Sequence, residues 1–195
     1  MKSVRIVLWL LVLIAFAGAA VLFWQKGRPE GGSLISIGGP FEMTDTAGKR
    51  FTEADLKGKP TAMFFGFTHC PDVCPTTMWE MTTYLKSLGS DGDKLNVVFV
   101  GVDSERDTPE HLATYLSAFD ERIIGLSGTE DQIAKMAKAY RVFYKRTTNQ
   151  DGDVLYDHSA SVFLFKADGS FKSTIAYGEN PETAMDKLKL LIGDV

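Results

Sequence analysis

Thr61 to Phe67, TAMFFGF, is seven uncharged residues in a row with no alternation of polar and apolar positions. A strand wetted on one face alternates, so a short continuous run of this kind belongs to a strand buried on both faces. Such strands occur where helices cover a largely parallel sheet. Leu95 to Val102 is a second run of the same character. Between them Met78, Met81, Leu85 and Leu88 recur at helical spacing up to Gly89, with Pro75 suited to the first turn.

The rest of the chain extends this pattern. Thr108-Pro109 opens a helix whose apolar face is Leu112, Tyr115, Leu116 and Phe119, and Ile123 to Leu126 reads as a short strand. Thr129 with Gln132 forms a capping-box signal ahead of Ile133, Met136, Ala137 and Tyr140. Ser161–Phe165 and Phe171–Tyr177 flank Asp168-Gly169, a hairpin signal, and Asn180-Pro181 opens a last helix. Upstream, Phe41 to Phe51 turns at Asp45–Gly48, and Thr52 to Asp55 caps a short helical turn before Gly58. The expectation is an α/β domain with a late antiparallel part, thioredoxin-like in topology and preceded by an N-terminal hairpin extension.

Ile6 to Trp24 carries no charge over 19 residues and lies between Lys2 and Arg5 on one side and Lys26 and Arg28 on the other. As a helix it would span ~28 Å, close to a bilayer core. Ala15-Phe16-Ala17 and Ala17-Gly18-Ala19 offer the rival reading of a cleaved signal peptide. However, Val21 to Trp24 continues the apolar run past those small residues. The expectation is an uncleaved single transmembrane helix, with residues 1–32 as anchor and tether and residues 33–195 as the folded domain. A short basic N-terminus that stays in the cytoplasm would place that domain outside it.

The remaining 163 residues suffice for one core. They hold 17 basic and 24 acidic residues, a net charge of -7, without the basic excess that a phosphate backbone requires, so nucleic acid is not an expected partner. The mixed composition, 45% apolar and 24% charged, excludes disordered and polytopic membrane classes.

Only two cysteines occur, Cys70 and Cys74, and a pair four positions apart cannot staple distant parts of a chain together. They follow the first buried strand, at the strand end where open α/β sheets place their chemistry. Pro71 and Pro75 each disfavour helical geometry at the preceding cysteine, so the pair is expected in a loop at the helix entrance. The partial positive charge of a helix N-terminus lowers thiol pKa, and the resulting thiolates are both nucleophiles and soft-metal ligands. Inert thiols, a permanent disulfide, a reversible disulfide and a metal site are all compatible with the pair. Three intervening residues make a larger ring than the Cys-x-x-Cys of thioredoxin-type redox sites. Two thiolates favour Cu(I), zinc or iron-sulfur iron, and four-thiolate sites are excluded. A third ligand must come from elsewhere. His111 sits on an exposed helix turn, His69 should point away from the adjacent sulfur, and His158, in YDHSA before the strand SVFLF, reads by itself as a solvated loop residue.

Four segments together resemble the Sco (SenC/PrrC) family of membrane-anchored, thioredoxin-like copper proteins that help assemble cytochrome c oxidase. They are Gly38–Phe41 with Thr44-Asp45, Gly58–Met78 (GKPTAMFFGFTHCPDVCPTTM), Val102–Glu110 (VDSERDTPE) and Tyr156–Phe165 (YDHSASVFLF). The resemblance spans essentially the whole exported domain. It implies copper, Cu(I) or Cu(II), one per chain, on Cys70, Cys74 and His158, with Asp72 and Asp157 as acidic neighbours. The loop before SVFLF would correspond to the thioredoxin cis-proline loop, although it holds no proline here. Ser104 stands where the family commonly has proline. The implied partner is cytochrome c oxidase subunit II, with other periplasmic copper chaperones or thioredoxin-like reductants besides. The implied place is the bacterial inner membrane, spanned once, with the C-terminal domain in the periplasm.

Three other functions compete with this one. As a thiol-disulfide oxidoreductase the protein would employ Cys70 and Cys74 as a redox pair to reduce the subunit II cysteines. As a redox or copper sensor it would use the same ligands. A peroxiredoxin-like peroxidase would need proline at position 63 and threonine at position 67, where the chain has Met63 and Phe67.

Overall fold

The structure, a computed structural model, describes residues 9–14, 16–18 and 37–193. The chain divides into two compact units, residues 1–36 and 37–195. Residues 9–14 and 16–18 are helical, and among the described residues no helix is long and apolar enough to cross a membrane. Most of the expected anchor, residues 6–24, and the expected division at 32/33 lie outside the described residues.

The second unit is built on a seven-stranded sheet. In chain order its strands are β1 (Glu42–Asp45), β2 (Arg50–Thr52), β3 (Thr61–Gly66), β4 (Asn96–Gly101), β5 (Ile123–Ser127), β8 (Val162–Phe165) and β9 (Phe171–Ile175). A separate two-stranded sheet pairs β6 (Tyr144–Thr148) with β7 (Val154–His158). The large sheet runs β2-β1-β5-β4-β3-β8-β9, parallel at β3–β4 and β4–β5 and antiparallel elsewhere. Four helices, α1 (Val73–Leu88), α2 (Pro109–Leu116), α3 (Glu130–Tyr140) and α4 (Pro181–Gly193), complete a thioredoxin-like arrangement. The N-terminal hairpin is present, and its first strand also pairs with β5, which makes it part of the main sheet.

All six residues of β3 are buried, as are five of six in β4, so both faces of the central strands are covered. Each buried phenylalanine there contributes roughly 1.5–3 kcal/mol by leaving water. The helix boundaries follow local chemistry. Thr108 accepts the His111 amide ahead of Pro109, Thr129 and Gln132 exchange capping bonds, and the Asn180 carboxamide accepts the Glu182 and Thr183 amides. The helix opened by Pro109 ends at Leu116, so Phe119 packs from the following turn and not from the helix face.

Candidate metal centre

The end of β3 aims the chain at the N-terminus of α1. The Cys70 amide donates to the Phe67 carbonyl at 3.2 Å, which folds the chain back before the helix begins. That helix starts earlier than the two prolines suggest: Asp72 is its N-cap, and Cys74 is its second residue rather than part of an entrance loop. First-turn amides have no helical acceptor, so Pro75 forfeits no bond there, while the 0% exposure of Cys74 shows that packing overrides the restriction on the residue before proline. Gly66 makes room for this sulfur. A Cβ on Gly66 would lie 2.9 Å from Cys74 Sγ and 2.7 Å from the Phe64 ring.

His158 arrives from the other sheet. It is the last residue of β7, paired with Tyr144, and not a loop residue. The sequence signal for this hairpin was Asp151-Gly152 between YKRTT and VLYDH. In its turn the Asn149 side chain accepts the Asp151 and Asp153 amides, and Gly152 takes a positive φ of 89°. The imidazole meets Phe64 and Phe67 edge-on at centroid distances of 5.7 and 5.9 Å, so its ring plane is fixed by packing. Its Nδ1 lies 3.1 Å from the Ser159 carbonyl, which accepts only if Nδ1 carries the proton. Nε2 then keeps its lone pair and faces Cys74 Sγ at 3.4 Å.

Cys70, Cys74 and His158 thus converge, with one sulfur or nitrogen atom from each inside 4.8 Å of the others. Both cysteines are free, and the two thiols are unequal. Cys70 is half-buried and its pKa is lowered to about 4, first by the hydrogen bond from the Cys74 thiol, with the Asp72 and Cys74 amides adding to it against burial. Cys74 is pushed up, because the neighbouring Cys70 thiolate holds its proton and burial disfavours its anion. Two soft sulfurs and one borderline nitrogen, open to solvent on the Cys70 side, fit copper in either common oxidation state. That opening is a cleft of about 340 Å³ whose wall includes Cys70, Asp72, Asp157 and His158. Asp72 and Asp157 are exposed on its rim.

The other two histidines stay outside. His69 stacks on His111 with centroids 5.3 Å apart and hydrogen-bonds Thr68 through Nδ1. Unread from the residues alone were Gly66 and the buried carboxylates Asp103 and Asp107 behind the cysteine turn, both in the segment VDSERDTPE.

The sequence model of the SCO1/SenC family matches residues 30–193. The chain belongs to the SCO1/SenC family. Among its relatives, Protein SCO2, mitochondrial, of Saccharomyces cerevisiae is 38% identical over 158 residues, 80% of this chain and 52% of that protein. A SCO2-like protein of Rickettsia felis is 38% identical over 157 residues, 80% of this chain and 77% of its own length. Against the first relatives, from yeast and Arabidopsis thaliana, the chain spans about half their length. The solved structure of Bradyrhizobium japonicum ScoI with copper bound superposes with a TM-score of 0.74 at 48% identity, over 80% of this chain and 99% of that one.

Proposed function

We propose that this SCO1/SenC protein binds one copper ion per chain and hands it on during assembly of cytochrome c oxidase, at the dinuclear copper centre of subunit II. The convergence of Cys70, Cys74 and His158 carries the reading, and the copper-bound Bradyrhizobium relative supports it. Two thiolates with a neutral imidazole balance Cu(II) and leave one negative charge on Cu(I), so one site serves both ions as cargo. Cys70, half-exposed, is the donor an acceptor protein reaches first, while Cys74 and the Ser159-bound imidazole hold the remaining bonds. The test is copper titration of the reduced full chain followed by incubation with apo subunit II. Stoichiometric binding with sulfur-to-copper charge-transfer absorption, then appearance of the dinuclear spectrum on subunit II, is expected. Binding without transfer would sink the donor role.

The inequality of the thiols favours a second reading, reduction of the subunit II disulfide. A Cys70 thiolate attacks one sulfur of that disulfide and forms a mixed disulfide, releasing the partner's other sulfur as thiolate. Cys74 then gives its proton to that thiolate and attacks Cys70, breaking the mixed disulfide, so the chain leaves oxidised and the partner's second sulfur leaves as a thiolate that takes its proton from water. Reductants for the resulting Cys70–Cys74 bond would be thioredoxin-like proteins, and copper would come from other periplasmic chaperones.

We further propose that residues 6–24 anchor the chain in a bacterial inner membrane with the folded domain in the periplasm. The uncharged run extending past the small-residue sites supports this. A mature mass starting near Ala20, with release by osmotic shock, would overturn it.

A further inference from the structure

The imidazole of His158 hangs on a sheet that shares no strand ladder with the main one. The ends of the hairpin are tied mostly to each other, by the Ser159 amide on the Phe143 carbonyl and the Phe143 amide on the Ser159 hydroxyl. Ring contacts with Phe64 and Phe67 hold the imidazole itself, and polar ties hold the strand behind it. The segment after β4 reaches both sides. Asp107, 1% exposed, accepts the Thr68 amide at 3.1 Å and the Thr68 hydroxyl at 2.7 Å, two residues before Cys70. Asp103, also 1% exposed, pairs with Arg106 Nε, while Arg106 Nη2 donates to the Val154 carbonyl at 2.8 Å. Asp103 also accepts the Tyr156 hydroxyl at 3.5 Å. Both of these β7 contacts lie within four residues of His158.

We infer that Arg106, oriented by Asp103, is the positioning residue that fixes the His158 strand to the segment after β4, which through Asp107 and Thr68 also holds the turn that carries Cys70. The guanidinium suits this because its planar fork serves two acceptors in a fixed geometry, one a buried carboxylate and the other a backbone carbonyl. The inference rests on the reading of His158 as a copper donor only for its consequence. The positioning itself belongs to the metal-free protein.

Arg106→Met and Arg106→Lys in the full chain test it, with Glu105→Gln as the control for a surface charge on the same segment, since the Glu105 side chain reaches the hairpin only through an exposed 3.6 Å pair with Arg146. Amide hydrogen exchange of the metal-free reduced protein should rise about tenfold at residues 154–158 in Arg106→Met, with β3 and β4 unchanged. Arg106→Lys keeps a charge for Asp103 but cannot span both acceptors, so it should fold as the parent does and show the same change at smaller size. Cu(II) affinity should fall by about 10- to 100-fold, the range for groups that orient a metal-binding histidine. The charge-transfer band should shift, and Cys70 alkylation should stay within about twofold. Unchanged exchange at 154–158 in both variants, or an equal loss of protection across the whole domain, would overturn the inference. Absence of copper binding in the parent chain would remove the proposed function and leave the exchange result to decide this one.

Discussion

The two halves of the donor set are built differently. Cys74 lies in the first turn of the helix that follows a strand buried along its full length, with its sulfur and the Phe64 ring closing on Gly66. His158 sits at the end of a two-stranded hairpin of which only Tyr156 is fully buried. One half takes its geometry from the core and therefore shares the core's stability. The other takes it from a few named bonds and ring contacts, so it can loosen without unfolding the domain. The sulfurs are the fixed jaw, and the imidazole is the adjustable one.

The largest effect should come from the fixed jaw. Replacing Cys70 or Cys74 by serine removes a soft donor outright, and copper affinity should drop by more than about 100-fold, beyond the range seen when only a supporting group is lost. Equilibrium titration against a competing chelator measures it. Full affinity in either variant would dissolve the three-donor site.

The adjustable jaw should give a selective loss. His158→Ala is expected to cut Cu(II) affinity by about 100-fold while Cu(I), content with two thiolates, is retained to within about tenfold. Exchange with a model disulfide should change far less, because no step of it uses the nitrogen. Equal loss for both oxidation states would mean that the two halves do not act separately.

Stability should divide along the same line. Gly66→Ala pushes a methyl group against Cys74 Sγ and the Phe64 ring, and should cost the whole domain roughly 1–3 kcal/mol in chemical unfolding. Gly152→Ala has open space around it but a φ of +89°, so its cost of about 1 kcal/mol should appear as faster amide exchange confined to residues 144–158.

The smallest expected effect is the pH profile of the thiols. Cys70, with a pKa near 4, should be alkylated by iodoacetamide at a nearly constant rate from pH 8 down to about pH 5, with Cys74 protected throughout. A thiol whose pKa is lower folded than unfolded stabilises the fold most above its ordinary value of about 8.5, and the contribution is lost as pH falls toward 4. The reduced protein should therefore weaken with acid across that window, and Cys70→Ala should flatten the slope. A rate that falls steeply below pH 8 would assign Cys70 an ordinary thiol.

The same contrast explains what the sequence disclosed. TAMFFGF and LNVVFVGV were legible because burial on both faces leaves almost no polar position, and the caps at Thr108, Thr129 and Asn180 because unpaired amides demand particular side chains. The β6–β7 hairpin was not, since YKRTT is mostly exposed and carries no burial pattern, only the Asp-Gly turn. His158 depended on family resemblance, as nothing local distinguishes a strand-end imidazole from a solvated one. The start of α1 was misjudged because a local proline rule was weighed without the packing that decides Cys74.

Cys74 and His158 are 84 positions apart in the chain yet in contact in the fold. A growing or unfolded polypeptide offers a nearby pair of thiols but not this set of three donors. Loading must therefore come after folding, and an ion held by all three certifies a finished domain. Mass action then makes cargo a guardian of that domain: free copper at a thousandfold excess over its dissociation constant would stabilise it by about 4 kcal/mol, and each delivery would return it to its less protected state.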